Sequence, residues 1–171
     1  EISIRPVADS KGKQVTVDDV DLDESLDALA DSLLVASRLL LAISARSIAQ
    51  VDETITFPQF RTLVILFNEG PINLATLAQL LGVQPSTTGR MVDRLVSAGL
   101  IDRRPHPRSR RELVAELTAH GEGVVREVMA QRRAEIAEIA ARMPARERRG
   151  LVRALDAFTA AGGESASPVD V

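Results

Sequence analysis

Apolar residues recur at helical spacing along most of the chain. Leu22, Leu26, Leu29, Leu33, Ala36, Leu40 and Ile43 fall on one face of a helix that reaches about Val51. Asp23 or a near neighbour can cap it, with acidic residues well placed in its first turn. Leu34, Val35, Leu39 and Leu41 widen the apolar surface beyond one stripe. A helix apolar on more than one side must be covered on more than one side. In a chain of 171 residues, a second subunit is the simplest cover. Thr56-Phe57-Pro58-Gln59 is a capping box with proline in the first turn. It opens a helix through Phe60, Leu63, Val64, Leu66 and Phe67 that ends at Asn68-Glu69-Gly70-Pro71. Further on, Thr118 can cap a helix to about Arg142, with Val125, Val128, Met129, Ile136, Ile139, Ala140 and Met143 as its apolar face. Pro144 breaks it, and a last helix from about Ala145 to Ala161 carries Leu151, Val152, Leu155 and Phe158. Residues 1–21 and 163–171 lack periodicity and read as flexible ends. The N-terminal one could instead be an arm that packs on a partner subunit.

The middle of the chain carries the most distinctive order. Pro71-Ile72 suits a short strand and Asn73 an N-cap. Leu74 to Leu81 is a short apolar-periodic helix, Gly82-Val83 a turn, and Pro85 to Ala98 a second helix stopped by Gly99. Leu100 to Arg104 reads as a strand, Pro105 to Arg111 as a proline- and arginine-rich loop, and Leu113 to Thr118 as a second strand. Helix, tight turn, helix, strand, basic loop, strand is the order of a winged helix-turn-helix. The fold class is therefore mainly α (α+β). Residues 22–162 form one winged-helix domain, with a helical dimerisation region built from the N- and C-terminal helices at about 22–51 and 119–161.

Candidate chemistry gathers on the second helix and the wing. Thr88, Met91, Val92 and Leu95 share one helix face and should pack inward. Ser86, Thr87, Gly89, Arg90, Asp93 and Arg94 are left outward. Small polar residues at a helix N-terminus can approach a phosphate or base edge. Arg90 can reach a guanine by a bidentate contact. Gly89 costs about 1 kcal/mol against alanine, yet a spot without a side chain lets a helix sit deep in a groove. The plain alternative is a solvated face with one tolerated glycine. In the wing, Arg103, Arg104, Arg108, Arg110 and Arg111 fall within nine residues, stiffened by Pro105 and Pro107. Such a cluster suits phosphates and a narrow minor groove. The plain alternative is a solvated loop whose arginines pair with Glu112 and Glu116, which could occupy some of them.

These residues resemble the MarR family of winged-helix transcription regulators. The resemblance lies in Leu77-Ala78, Leu81, Pro85-Ser86-Thr87, Val92-Asp93-Arg94-Leu95, Gly99-Leu100-Ile101, Arg110-Arg111, Leu117-Thr118 and Gly121. It implies a homodimeric regulator of double-stranded DNA, often released by a small ligand. It makes Arg111 the wing tip that enters the minor groove, with Arg108 and Arg110 near phosphates. It also implies an effector pocket between the dimer helices and the winged helix, for which Arg38, Arg46 and Arg61 are candidate polar liners. One departure stands out: Ser109 occupies the place where the family's wing carries Asp.

Charge and composition narrow the partners. Overall net charge is −3, which would argue against nucleic acid if it were uniform. Residues 1–55 carry a net −6, whereas residues 85–111 hold seven arginines against two aspartates. Local charge governs attraction to phosphate. The absence of cysteine removes thiol sensing, disulfides and thiolate metal sites, and suits a cytoplasmic protein that senses a ligand rather than oxidant. His106 and His120 are too few for an obvious metal cluster, and four Phe without Trp or Tyr give no single-strand stacking platform. No phosphate-binding glycine loop or Ser/His/Asp arrangement is present, so an enzyme is not expected and no cofactor is implied. No signal peptide is apparent, and Leu33 to Ile43, interrupted by Arg38, reads as too short to span a bilayer. The reading is a homodimeric repressor on a near-palindromic operator. Its rival is a winged-helix interaction or dimerisation module without specific DNA binding.

Overall fold

A computed structural model describes residues 17–106 and 109–163, with side chains for 25–105 and 113–163. Residues 1–16, Pro107-Arg108 and residues 164–171 lie outside the described residues, so most of the expected flexible ends falls there. The elements are α1 (Val17–Val51), α2 (Phe57–Glu69), β1 (Ile72–Asn73), α3 (Leu74–Leu81), α4 (Pro85–Ser97), β2 (Ile101–His106), β3 (Ser109–Leu117), α5 (Ala119–Ala141) and α6 (Ala145–Ala161). The chain divides into two compact units, residues 1–42 and 43–171, so α1 contributes to both.

The first unit is the N-terminal part of α1. The helix begins six residues before the expected cap at Asp23. Asp18, Asp19 and Asp21 fall in its first turns, where the macrodipole favours negative charge. Leu26, Leu29, Leu34, Val35, Leu39, Leu40 and Leu41 are all exposed. Ser32 and Ser37 donate back to the carbonyls of Ala28 and Leu34, at 2.8 Å each, which leaves the helix more apolar than its composition suggests. Ser25–Val51 is in fact long and apolar enough to cross a membrane, with a mean hydropathy of 1.7. The sequence-based length estimate counted only the run around Arg38 and was too short.

The second unit is built around α2 to α5. From the end of α1, Ile43, Ser44, Ser47 and Ile48 are buried, and the Ser47 hydroxyl returns to Ile43 O at 2.9 Å. Beyond α1, Thr54 donates to the Asp52 carboxylate from its backbone N–H (2.8 Å) and hydroxyl (2.6 Å). These bonds hold that carboxyl below the usual carboxylate range, with His120 adding a smaller attraction. Gln59 Oε1 accepts from the Thr56 backbone N–H at 2.8 Å, as the capping box requires. Asn73 Oδ1 accepts from Thr76 N at 2.8 Å and starts α3.

The core joins Phe60, Leu63 and Leu66 of α2, Leu77 and Leu81 of α3, and Val92 and Leu95 of α4 with Val124, Val125 and Val128 of α5. The sheet has the order β1-β3-β2, antiparallel throughout. β1 joins it through Ile72↔Ala115 and Asn73↔Val114, as the Pro71-Ile72 signal suggested. The strands of the wing run further than the sequence reading allowed. Pro105, assigned there to a loop, pairs with Leu113. β2 is an edge strand, where a missing N–H is tolerated. The register then shifts, so that His106 faces Ser109.

α5 is seated by its first turn. Thr118 Oγ1 donates to Gly99 O at 2.7 Å and accepts from Gly121 N at 3.0 Å. A Cβ on Gly121 would overlap the Leu100 carbonyl, so only glycine lets the helix approach this closely.

Candidate nucleic-acid interface

α3 and α4 meet at Gly82, whose φ of 68° is left-handed. That turn allows Val83 N to reach Ala78 O at 3.1 Å. Pro85 then opens α4, where no N–H is required. Thr88, Val92 and Leu95 are buried and fix the rotation of the helix. Ser86, Thr87, Arg90, Asp93 and Arg94 are exposed on the other side. Gly89 lies between them, and a Cβ there would meet nothing. Arg90 and Arg94 also line a cavity of about 230 Å³ with Thr56, Pro58, Gln59, Thr87 and Met91. Arg90 and Arg94 therefore share a cleft with the first turn of α2, which the sequence reading treated only as a cap.

The wing arginines are less free than their count implied. Arg103 forms an ion pair with Asp93 at 2.6 Å, linking β2 to α4. Arg104 reaches Glu116 at 3.1 Å and Asp102 at 3.8 Å. The Glu116 pairing was the plain alternative weighed for this loop, and it holds for Arg104. Arg103 is held by a partner that sequence reasoning missed. Both side chains stay partly exposed, and exposed pairs are worth only ~0–1 kcal/mol, so a phosphate could compete for them. Arg110 and Arg111 lie on β3, but their side chains, like all of Arg108, are outside the described residues.

The three arginines considered for an effector pocket each have a different setting. Arg38 is exposed in the first unit. Arg46 forms an ion pair with Glu135 of α5. Arg61 spans to the C-terminal carbonyls of α3, Leu80 O and Leu81 O, at 3.4 Å each. It also lines a cavity of about 130 Å³ with Ser44, Phe57, Phe60, Val64, Val128 and Arg132. Arg132 was not anticipated, because on α5 it reads as an ordinary solvent-facing charge. Among the described residues, no group of His, Asp and Glu side chains could hold a metal ion.

A paired helix-turn-helix with an antiparallel wing behind it and arginines on the open face defines a winged-helix DNA-binding regulator. The MarR family model matches residues 55–113, from the end of the α1–α2 connection into the wing. The chain is 71% identical to RV1404 from Mycobacterium tuberculosis, whose crystal structure aligns over 84% of this chain and 97% of that one with a TM-score of 0.76. A MarR family protein from Bacillus stearothermophilus aligns over 83% of this chain and 98% of its own at 25% identity and a TM-score of 0.73. The HTH-type transcriptional repressor NicR of Pseudomonas putida is 36% identical over 70 residues, 41% of this chain and 44% of the repressor's length. The chain belongs to the MarR family. It is a transcriptional regulator, not an enzyme.

Proposed function

We propose that the chain is a homodimeric repressor that binds a near-palindromic duplex operator and is released by a small ligand. One observation carries the DNA reading. Ser86, Thr87, Arg90 and Arg94 share the exposed face of α4 around the open position at Gly89, in a chain that is acidic overall. In this reading Ser86, Thr87 and Arg90 meet base edges in the major groove. Arg94, Arg103, Arg104, Arg108 and Arg110 meet phosphates, and Arg111 enters the minor groove. Asp93 positions the wing through Arg103. NicR, named a repressor, lends the sign of regulation.

The dimer reading rests on the exposed leucines of α1 and on Leu151, Val152, Leu155 and Phe158 of α6, also exposed. Such a surface needs cover. Ile43, Ser44, Ser47 and Ile48 of α1 are already buried in the second unit, which supports a partner helix rather than a lipid bilayer as that cover, and a place in the cytoplasm. The effector would enter beside Arg61 and Arg132. Ligand pockets are usually ~300–1,000 Å³, so a cavity of about 130 Å³ must open, or be completed by the second copy.

A second reading, a winged-helix interaction module, draws on the carboxylates that hold Arg103 and Arg104. One experiment separates the two: selection of bound duplexes from a random library at fixed salt, with and without candidate ligands. Enrichment of a two-fold symmetric sequence, with half-site centres about 10 bp apart, supports the repressor. Recovery of random sequence supports the module.

A further inference from the structure

We propose that the turn of the helix-turn-helix is itself a base-reading site, in which Val83 contacts the C5-methyl group of a thymine and Gln84 the adenine of an A·T pair. The inference rests on the DNA-binding reading and extends it to residues one step before α4.

Three observations support it. First, an open cleft of about 650 Å³ lies between α3 and the start of α4, bordered by Ala75, Val83, Gln84, Pro85 and Thr87. None of its lining residues is charged. A surface that met only phosphate would carry cations, as the helix does further along at Arg94. Second, Val83 borders that cleft with an apolar side chain that is 38% exposed. The thymine methyl is the distinctive apolar group that a base pair presents in the major groove.

Third, Gln84 occupies the N-cap of α4 without a side-chain cap bond. Ser, Thr, Asp or Asn would stabilise the helix better there. The backbone carbonyl of Gln84 does accept from Thr87 N (3.0 Å) and Thr88 N (3.1 Å). Its amide is left exposed at the helix end that faces base edges in helix-turn-helix complexes. A glutamine amide matches adenine N6 and N7 by two hydrogen bonds. Apolar contact and amide side by side are the combination that distinguishes A·T from the other pairs.

The test uses the duplex enriched from the random library and the full chain. Each thymine of a half-site is replaced in turn by deoxyuridine, which lacks only the methyl. At one position per half-site the wild type should bind about fourfold more weakly, the value of one buried methyl-sized group. Val83→Ala should bind the thymine and deoxyuridine duplexes alike. Gln84→Ala should lose about tenfold in preference for adenine at the paired base. Placing 5-methyldeoxycytidine opposite deoxyguanosine at that position should bind better than unmethylated deoxycytidine, since it restores the methyl without the adenine. Both side chains are exposed, so circular dichroism of the variants should match wild type. Enrichment of a duplex in which every deoxyuridine is tolerated, or a Val83→Ala variant that keeps the wild-type preference for thymine, overturns the proposal while leaving DNA binding intact. Failure to enrich any duplex overturns both.

Discussion

Two regions of the molecule, both supplied with leucine and valine, treat them in opposite ways. In the winged-helix core, Leu63 and Leu77 are fully buried and Leu95 is 1% exposed. In the N-terminal part of α1, Leu26 and Leu34 are each 62% exposed, and on α6 Val152 is 60% exposed. The core helices carry one apolar stripe each, which neighbours in the same chain cover. α1 carries more apolar surface than one neighbour can cover. Hydrophobicity in a sequence therefore marks what must be buried, and the angular width of the apolar face tells whether the chain can bury it alone.

The sharpest way to break this contrast is to mutate both sides of it. Leu77→Ala should destabilise the winged helix by about 2–5 kcal/mol in urea or thermal unfolding. Gly121→Ala should cost about 1–3 kcal/mol or more, because its Cβ meets the Leu100 backbone, which cannot move aside like a side chain. Leu34→Asp should leave the unfolding of the winged helix nearly unchanged. Its effect should fall on self-association, with each leucine lost from an interface worth about 2 kcal/mol, read as mass by light scattering across a dilution series. A wild-type chain that stays monomeric at all concentrations would remove the dimer reading.

Smaller effects sharpen the account of the site. Arg103→Ala should cost ~0–1 kcal/mol in stability. Loss of its tie to Asp93 should show as faster amide exchange in β2 rather than as unfolding. Asp52 gives the smallest effect. Its folded-state pKa lies below its unfolded value, so its contribution is present above the unfolded value and is lost as pH falls through the folded one. Asp52→Asn should remove that part of the acid sensitivity below ~pH 4, seen as a slightly flatter stability curve in acid titration.

Much of this fold was legible because its signals are local. Thr56 with Gln59, Asn73, Gly82, Pro85 and Thr118 each act within a few residues, and the structure uses each as its residue type suggests. The rotation of α4 was legible too, since Thr88, Val92 and Leu95 repeat at helical spacing and are buried. What could not be read were pairings across elements. Arg103 meets Asp93, Arg61 closes the end of α3 and Arg46 meets Glu135, all set by tertiary approach rather than by any periodicity. Pro105 was read as part of a proline- and arginine-rich loop, but sheet order, which places β2 at the edge, lets proline sit in the strand. Gly121 had a visible signal, a glycine in a helix's first turn, whose reason appears only once Leu100 is seen against it.

The central claim is that the exposed face of α4 and the wing bind duplex DNA in a sequence-specific way. Its most direct measurement is a fluorescence-anisotropy titration of the wild type and of Arg90→Ala on the enriched duplex and a scrambled one, across a range of salt concentrations. The wild type should prefer the enriched duplex, and its log affinity should fall linearly with log salt by ~0.9 per phosphate neutralised. Arg90→Ala should lose about 1–3 kcal/mol of discrimination while its affinity for scrambled DNA changes little. Equal binding to both duplexes with a flat salt response would contradict the account.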